Sequence, residues 1–195
     1  MKKDIILAGV GGQGILSVAA VIGLAAIEEN LFVKQAEVHG MSQRGGAVLS
    51  HLRISDHEIY SDLIPYGKAD MILSVEPMEA LRYMPFLFSE GWLITNSVPY
   101  INIPDYPDID NLLREIRALP HSLAIDADAA ARELKAPKSS NIIIVGAASP
   151  YLDISYNSLE KGIKKIFGKK GKDVIDLNLR ALSIGRELAL SETVS

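Results

Sequence analysis

An uncharged stretch from Ile5 to Ile27, broken near its start by Gly9-Val-Gly-Gly-Gln-Gly14, restricts the fold more than any other feature of the chain. Its length alone would suit a membrane span. The glycines forbid that use: only Ile15 to Ile27 can form one continuous helix, about 20 Å long against a bilayer core of about 30 Å. What remains is a short aliphatic strand, Asp4–Gly9, a tight turn, and a helix in which Leu16, Ala19, Ala20, Gly23, Leu24 and Ile27 recur at helical spacing. Ala19, Ala20, Gly23, Ala25 and Ala26 are small enough to let that helix lie close on a sheet, and Asn30 suits a left-handed cap. Lys2, Lys3 and Ile5–Ala8 imitate the opening of a signal peptide, but Asp4 and the glycines interrupt it. The expectation is a cytoplasmic protein that does not enter a membrane.

Strands and helices continue to alternate. Leu31–Val38 and Ala47–Ile54 read as strands, Ser55-Asp-His57 as a turn, and Glu58–Tyr60 as a short strand pairing back in a hairpin. Met71–Val75 is a buried strand, followed by Pro77 in the first turn of a helix over Glu79–Met84. Trp92–Asn96 is another strand. Val98–Asp110, with Pro99, Pro104 and Pro107, is an extended crossing. Asn111–Leu119 is a helix, Ser122–Asp126 a strand and Ala127–Leu134 a helix closed by Ala136-Pro137. The pattern predicts an α/β fold, a mainly parallel sheet with flanking helices and a Rossmann-like start. From Ser139 the texture turns helical. The Ile-Ile-Ile-Val run in Asn141–Ser149 suits strand or helix, but Gly146-Ala-Ala148 favours a buried helix, and Ser158–Phe167 and Asp173–Leu190 are amphipathic helices. At roughly 150 residues per domain, 195 residues fit one domain over 1–195, with a helical C-terminal portion at about 139–190.

Gly9, Gly11, Gly12, Gln13 and Gly14 match G-x-G-x-x-G after a strand and before a helix, where backbone N–H groups and the helix dipole can receive a phosphate. The same glycines also serve a turn that only needs close packing. Glu37, 23 residues beyond Gly14, stands where a ribose-binding acid would, yet it runs into Val-His-Gly rather than closing a standard ribose site. It opens a second constellation instead: Glu37, His39, Gly40, Ser42, Gln43, Arg44, Gly45 and Gly46. Arg44 offers a fork to a carboxylate or phosphate, His39 exchanges protons near neutral pH, and the glycines admit another backbone or a ligand. The alternative is a polar loop in which Arg44 and Glu37 form an ion pair. His51, inside an alternating strand, reads as a packing or surface residue.

Six lysines within Lys161–Lys172 (161, 164, 165, 169, 170 and 172) suit an anionic cofactor, an acidic partner face, or a solvated helix face. Asp126 and Asp128 look like a helix N-terminus rather than a metal site, and no metal site is expected. The sequence has no cysteine, so thiolate nucleophiles, iron–sulfur ligation and disulfides must come from elsewhere. A formal charge of −4 gives no general attraction to nucleic acid.

Gly9-Val-Gly-Gly-Gln-Gly-Ile-Leu16 together with Glu37-Val-His-Gly-Met-Ser-Gln-Arg-Gly-Gly46 resembles the gamma-type domain of the 2-oxoacid:ferredoxin oxidoreductases, the indolepyruvate type above all. The resemblance runs over nearly the whole chain. It implies an accessory subunit of an enzyme that oxidatively decarboxylates an aryl-2-oxoacid to an acyl-CoA while reducing ferredoxin. It further implies that thiamine diphosphate, magnesium and the 4Fe-4S clusters reside in a thiamine-diphosphate-binding alpha subunit, with coenzyme A as co-substrate and ferredoxin met through the complex. On this resemblance the glycine turn and Glu37–Gly46 shape a subunit interface beside the active cleft, with His39, Gln43 and Arg44 near substrate or coenzyme A. Related enzymes for pyruvate, 2-oxoisovalerate and 2-oxoglutarate share the domain type, so the match leaves the substrate open. The rival reading is a self-contained dinucleotide-binding module that uses the Gly9–Gly14 turn.

Overall fold

The computed structural model describes residues 1–39 and 45–192. Six strands form one sheet: β1 (Lys2–Val10), β2 (Phe32–His39), β3 (Ala47–Ser55), β4 (Ala69–Ser74), β5 (Leu87–Asn96) and β6 (Ser122–Ile125). Their order is β2-β3-β1-β4-β5-β6. β1, β4, β5 and β6 pair in parallel, whereas β3 runs antiparallel to both β1 and β2. The expected α/β architecture is present, with one change to its Rossmann-like start: β3 has come between β1 and β2.

Period-two alternation sorts the strand residues onto two faces. Ile5, Leu7, Met71, Leu73, Ile94, Leu123 and Ile125 join one core, while Ile6, Ile72, Leu93 and Ala124 join another. The first core takes in α1 (Ile15–Glu28), α4 (Ala127–Glu133), α5 (Ser140–Ala148), α6 (Tyr156–Phe167) and α7 (Lys172–Glu192). The second meets α2 (Pro77–Arg82) and α3 (Ile109–Arg117) through Ala80 and Ile116. α5 is buried at eight consecutive positions, Asn141 to Ala148. A helix apolar all round must be enclosed, and it lies between the sheet and α7. Asn30 adopts φ 59 just after α1, the left-handed stop its amide favours. Among the described residues no helix is long and apolar enough to cross a membrane.

The hairpin expected at Glu58–Tyr60 does not form; these residues are irregular. β3 has β1 on one side and β2 on the other, so neither of its edges is free to receive another strand. Side chains of β3 hold the segment instead. Arg53 donates Nη1 to the carbonyls of Ser61 (3.0 Å) and Leu63 (3.1 Å), and His51 Nδ1 accepts the Ile64 N–H at 3.1 Å. His51 is thus a packing residue, 4% exposed, and burial followed by the Arg53 charge pushes its pKa down.

Candidate functional site

The two motifs of the sequence meet at the carboxyl end of the parallel strands. Pairing of β1 with β3 brings Val10 opposite Ala47, and the ladder runs on past it: the Gly11 N–H donates to the Gly46 carbonyl at 2.9 Å. A longer 3.5 Å contact joins the Gly45 N–H to the Gly11 carbonyl. His39 ends β2 opposite Val48, which itself faces Gly9, so three strand ends are level here. Gly40, Met41, Ser42, Gln43 and Arg44 lie outside the described residues.

Within the turn, Gly12 has φ +103° and Gly14 φ +83°, conformations that L side chains rarely adopt. Gly9 answers to packing: a Cβ there would stand 2.5 Å from Val75 Cγ2. Gln13 ties the turn down, its Oε1 accepting the Val10 N–H at 2.7 Å while Nε2 reaches toward the Val75 carbonyl at 3.5 Å. Asn141 Nδ2 donates to the Gly14 carbonyl at 3.2 Å and so brings the start of α5 to the start of α1. Sequence reasoning did not single out Asn141 as a functional residue, because the contact spans 127 positions.

A cleft of about 640 Å³ opens beside the turn. It lies where strand order reverses about β1 and β4, the place at which open α/β sheets bind ligands. Its wall includes Gly12, Gly14, Asn96, Ser139, Lys138 and Lys170. α1 and α5 both begin there, each without a side-chain cap or an acidic residue in its first turn, leaving their positive ends open to an anion. Asn96, 4% exposed, uses Oδ1 to accept the Ala127 N–H at 3.1 Å. Asp128 also lines the wall and partly offsets the two lysines.

The lysine run divides. Lys161 and Lys165 both pair with Glu28 on α1, Lys161 at 3.6 Å, and these two contacts hold the Glu28 carboxyl below its ordinary range. Lys170 lies over the Phe167 ring at 5.3 Å and faces the cleft. Asp126 caps α4, its Oδ1 accepting the Ala129 N–H at 2.7 Å, as its position before a helix suggested. No group of three or more potential metal-binding side chains occurs among the described residues.

Glu37 does not sit as a ribose-binding acid would. It pairs with Ser50, which pairs with Leu7, so it is level with the middle of β1 and two strand spacings away, about 10 Å. A dinucleotide site needs the acidic strand next to β1, and β3 occupies that position. Exposed apolar side chains instead surround this end of the sheet: Leu16, Val38, Tyr100, Ile101 and Ile103.

A buried carboxylate also went unnoticed in the sequence. Glu76, fully buried, follows β4 and caps α2, accepting the Glu79 N–H at 2.8 Å. Its other oxygen accepts the Tyr100 N–H at 3.3 Å and the Tyr106 hydroxyl. Burial, then donation to Glu76, pushes the Tyr106 phenol well above its usual pKa. Ser74-x-Glu76-Pro77 carries a helix-start signal, since proline favours the first helical position, but nothing local announces partners 24 and 30 residues away.

Residues 4–188 match the family model described as pyruvate ferredoxin/flavodoxin oxidoreductase. The chain is 35% identical over 200 residues to an indolepyruvate oxidoreductase subunit IorB of Archaeoglobus fulgidus, covering 98% of this chain and 97% of that one. It is 30% identical over 191 residues to a 2-oxoglutarate synthase subunit KorC of Methanocaldococcus jannaschii, covering 97% and 95%. Its fold is similar to a structure of 2-oxoglutarate:ferredoxin oxidoreductase from Magnetococcus marinus with 2-oxoglutarate, coenzyme A and succinyl-CoA bound. There the TM-score is 0.76 at 25% identity, over 97% of this chain and 31% of that longer one. End-to-end similarity of sequence and of fold thus agrees with the two glycine motifs, and the chain belongs to the pyruvate ferredoxin/flavodoxin oxidoreductase family.

Proposed function

We propose that the chain is the accessory subunit of an indolepyruvate-type 2-oxoacid:ferredoxin oxidoreductase in the cytoplasm. The observation that carries this reading is its similarity, along practically its whole length, to a named indolepyruvate oxidoreductase subunit. With no cysteine, the chain has no thiolate for an iron–sulfur cluster. The clusters, thiamine diphosphate and magnesium are assigned to the alpha subunit, which also delivers electrons to ferredoxin. This chain's task is to pack against that subunit. The joined motifs, Gly11–Gly14 and Glu37–Gly46, are assigned to the interface, Ser42 among them, and His39, Gln43 and Arg44 are assigned to substrate or coenzyme A. Contact between Gly11 and Gly46 and the exposed apolar side chains around them support this assignment. The cleft beside the turn, with two open helix starts and Lys138 and Lys170 on its wall, suits the phosphates of coenzyme A.

The test is to purify the chain from its native cell, identify what accompanies it, and assay the assembly. A larger thiamine-diphosphate protein should co-purify, and viologen reduction should require both indolepyruvate and coenzyme A. A chain that purifies alone and turns over substrate unaided would overturn the reading.

A further inference from the structure

A carboxylate as deeply buried as that of Glu76 requires compensation, because charge removed from water is costly unless hydrogen-bonded. Its three partners are all neutral donors: the Glu79 N–H on one oxygen, and the Tyr100 N–H and Tyr106 hydroxyl on the other. A glutamine could not replace it. One amide oxygen would serve either the cap of α2 or the pair from residues 100 and 106, and the amide NH₂ would face a donor on the other side. The carboxylate therefore fastens two segments at once, the start of α2 and the irregular connection between β5 and α3.

That connection reaches the second motif. Asn102, between the two tyrosines, donates Nδ2 to the Gly45 carbonyl at 2.6 Å. Gly45 and Gly46 are bonded in turn to Gly11. A series of hydrogen bonds, joined through the backbone between Tyr100 and Tyr106 that carries Asn102, therefore runs from the buried end of β4 to the place where both glycine motifs meet. Pro99, Pro104 and Pro107 restrict the backbone of the same connection, so few anchors suffice to place it. Held this way, it presents Tyr100, Ile101 and Ile103, with Ile101 71% exposed, on the side of the molecule assigned above to the partner.

We propose that Glu76 is a positioning residue for the subunit interface: by latching the connection through Tyr100 and Tyr106 it fixes Asn102, and through Asn102 the Gly45 end of the second motif. The latch is a property of this chain; its consequence at the interface rests on the function proposed above.

Amide hydrogen exchange on the isolated full chain tests the latch. Tyr106→Phe removes one hydroxyl from an otherwise unchanged ring, and should speed exchange of the Gly11 amide about tenfold, the weight of one hydrogen bond to a charged acceptor. The Asp56 amide, bonded to the Met1 carbonyl at the opposite end of the sheet, should keep its rate. Glu76→Gln should loosen the same amide. An unchanged rate at Gly11, or equal acceleration at Gly11 and Asp56, would overturn the proposal, the second because it marks general destabilisation.

Affinity for the thiamine-diphosphate-binding subunit tests the consequence. Tyr106→Phe and Asn102→Ala should each raise Kd about tenfold, and together little more than either alone, because they interrupt one series. Unchanged or fully additive Kd values would overturn the role at the interface. If the unaltered chain fails to bind that subunit, the function proposed above falls instead, while the exchange rates still decide whether the latch exists.

Discussion

The crossing of α5 and α7 and the turn between β1 and α1 both depend on glycine, for different physical reasons. At the crossing, Gly146 and Gly185 stand face to face with backbone: a Cβ on Gly146 would lie 2.1 Å from the Leu182 carbonyl oxygen, and one on Gly185 1.9 Å from that of Ile143. Nothing flexible is there to yield. At the turn, a Cβ on Gly12 would meet no atom within 4 Å, and one on Gly14 would meet only the Asn141 side chain at 2.5 Å. Glycine is required there by backbone angle. The crossing uses glycine to close the interior, and the turn uses it to shape an open rim, so damage at the two places should appear in different measurements.

The largest effect is expected at the crossing. Gly146→Ala or Gly185→Ala must push α7 off the buried α5, and should cost about 3 kcal/mol or more in denaturant unfolding, with the partner playing no part. A loss of less than about 1 kcal/mol would mean that the helices part easily and that the contrast is false. Gly14→Ala combines an unfavourable φ with the Asn141 contact and should cost about 1–3 kcal/mol. In an Asn141→Ala background, which itself loses the hydrogen bond to the Gly14 carbonyl, Gly14→Ala should cost less than it does alone, since the clash is gone and only the backbone strain is added.

Gly12→Ala, with strain and no clash, should cost about 1–2 kcal/mol, leave the chain folded, and impair assembly or turnover more than its stability explains. Arg44→Ala should have the smallest effect on stability, within about 0.5 kcal/mol, while lowering turnover of the assembled enzyme. Equal loss of both would make Arg44 a structural residue.

Local chemistry decided what could be read from the sequence. The β1–turn–α1 unit, the stop at Asn30, the burial of α5 and the cap at Asp126 all follow from neighbouring residues, and all appear in the structure. The placement of β3 between β1 and β2 was hidden, because an alternating strand states which face it buries and not which neighbour it chooses. That choice also removed the hairpin at Glu58–Tyr60. For the candidate site, the sequence named both glycine motifs but could not supply Asn96, Asn141 or Glu76. Their importance arises from partners brought in by the fold, and single polar residues beside apolar runs carry no mark of that.

The inserted strand has one more consequence. Eight residue pairs fasten β2 to β3 and nine fasten β3 to β1, so this ribbon is anchored to the rest of the sheet through its inner leg, β3, with β2 at the edge. Residues joining the legs can therefore change in number or kind without moving the register of the sheet beneath them. Such a connection is a natural place to graft new recognition onto an unaltered scaffold, and a reporter group attached there would sense docking while the paired strands stayed as they were.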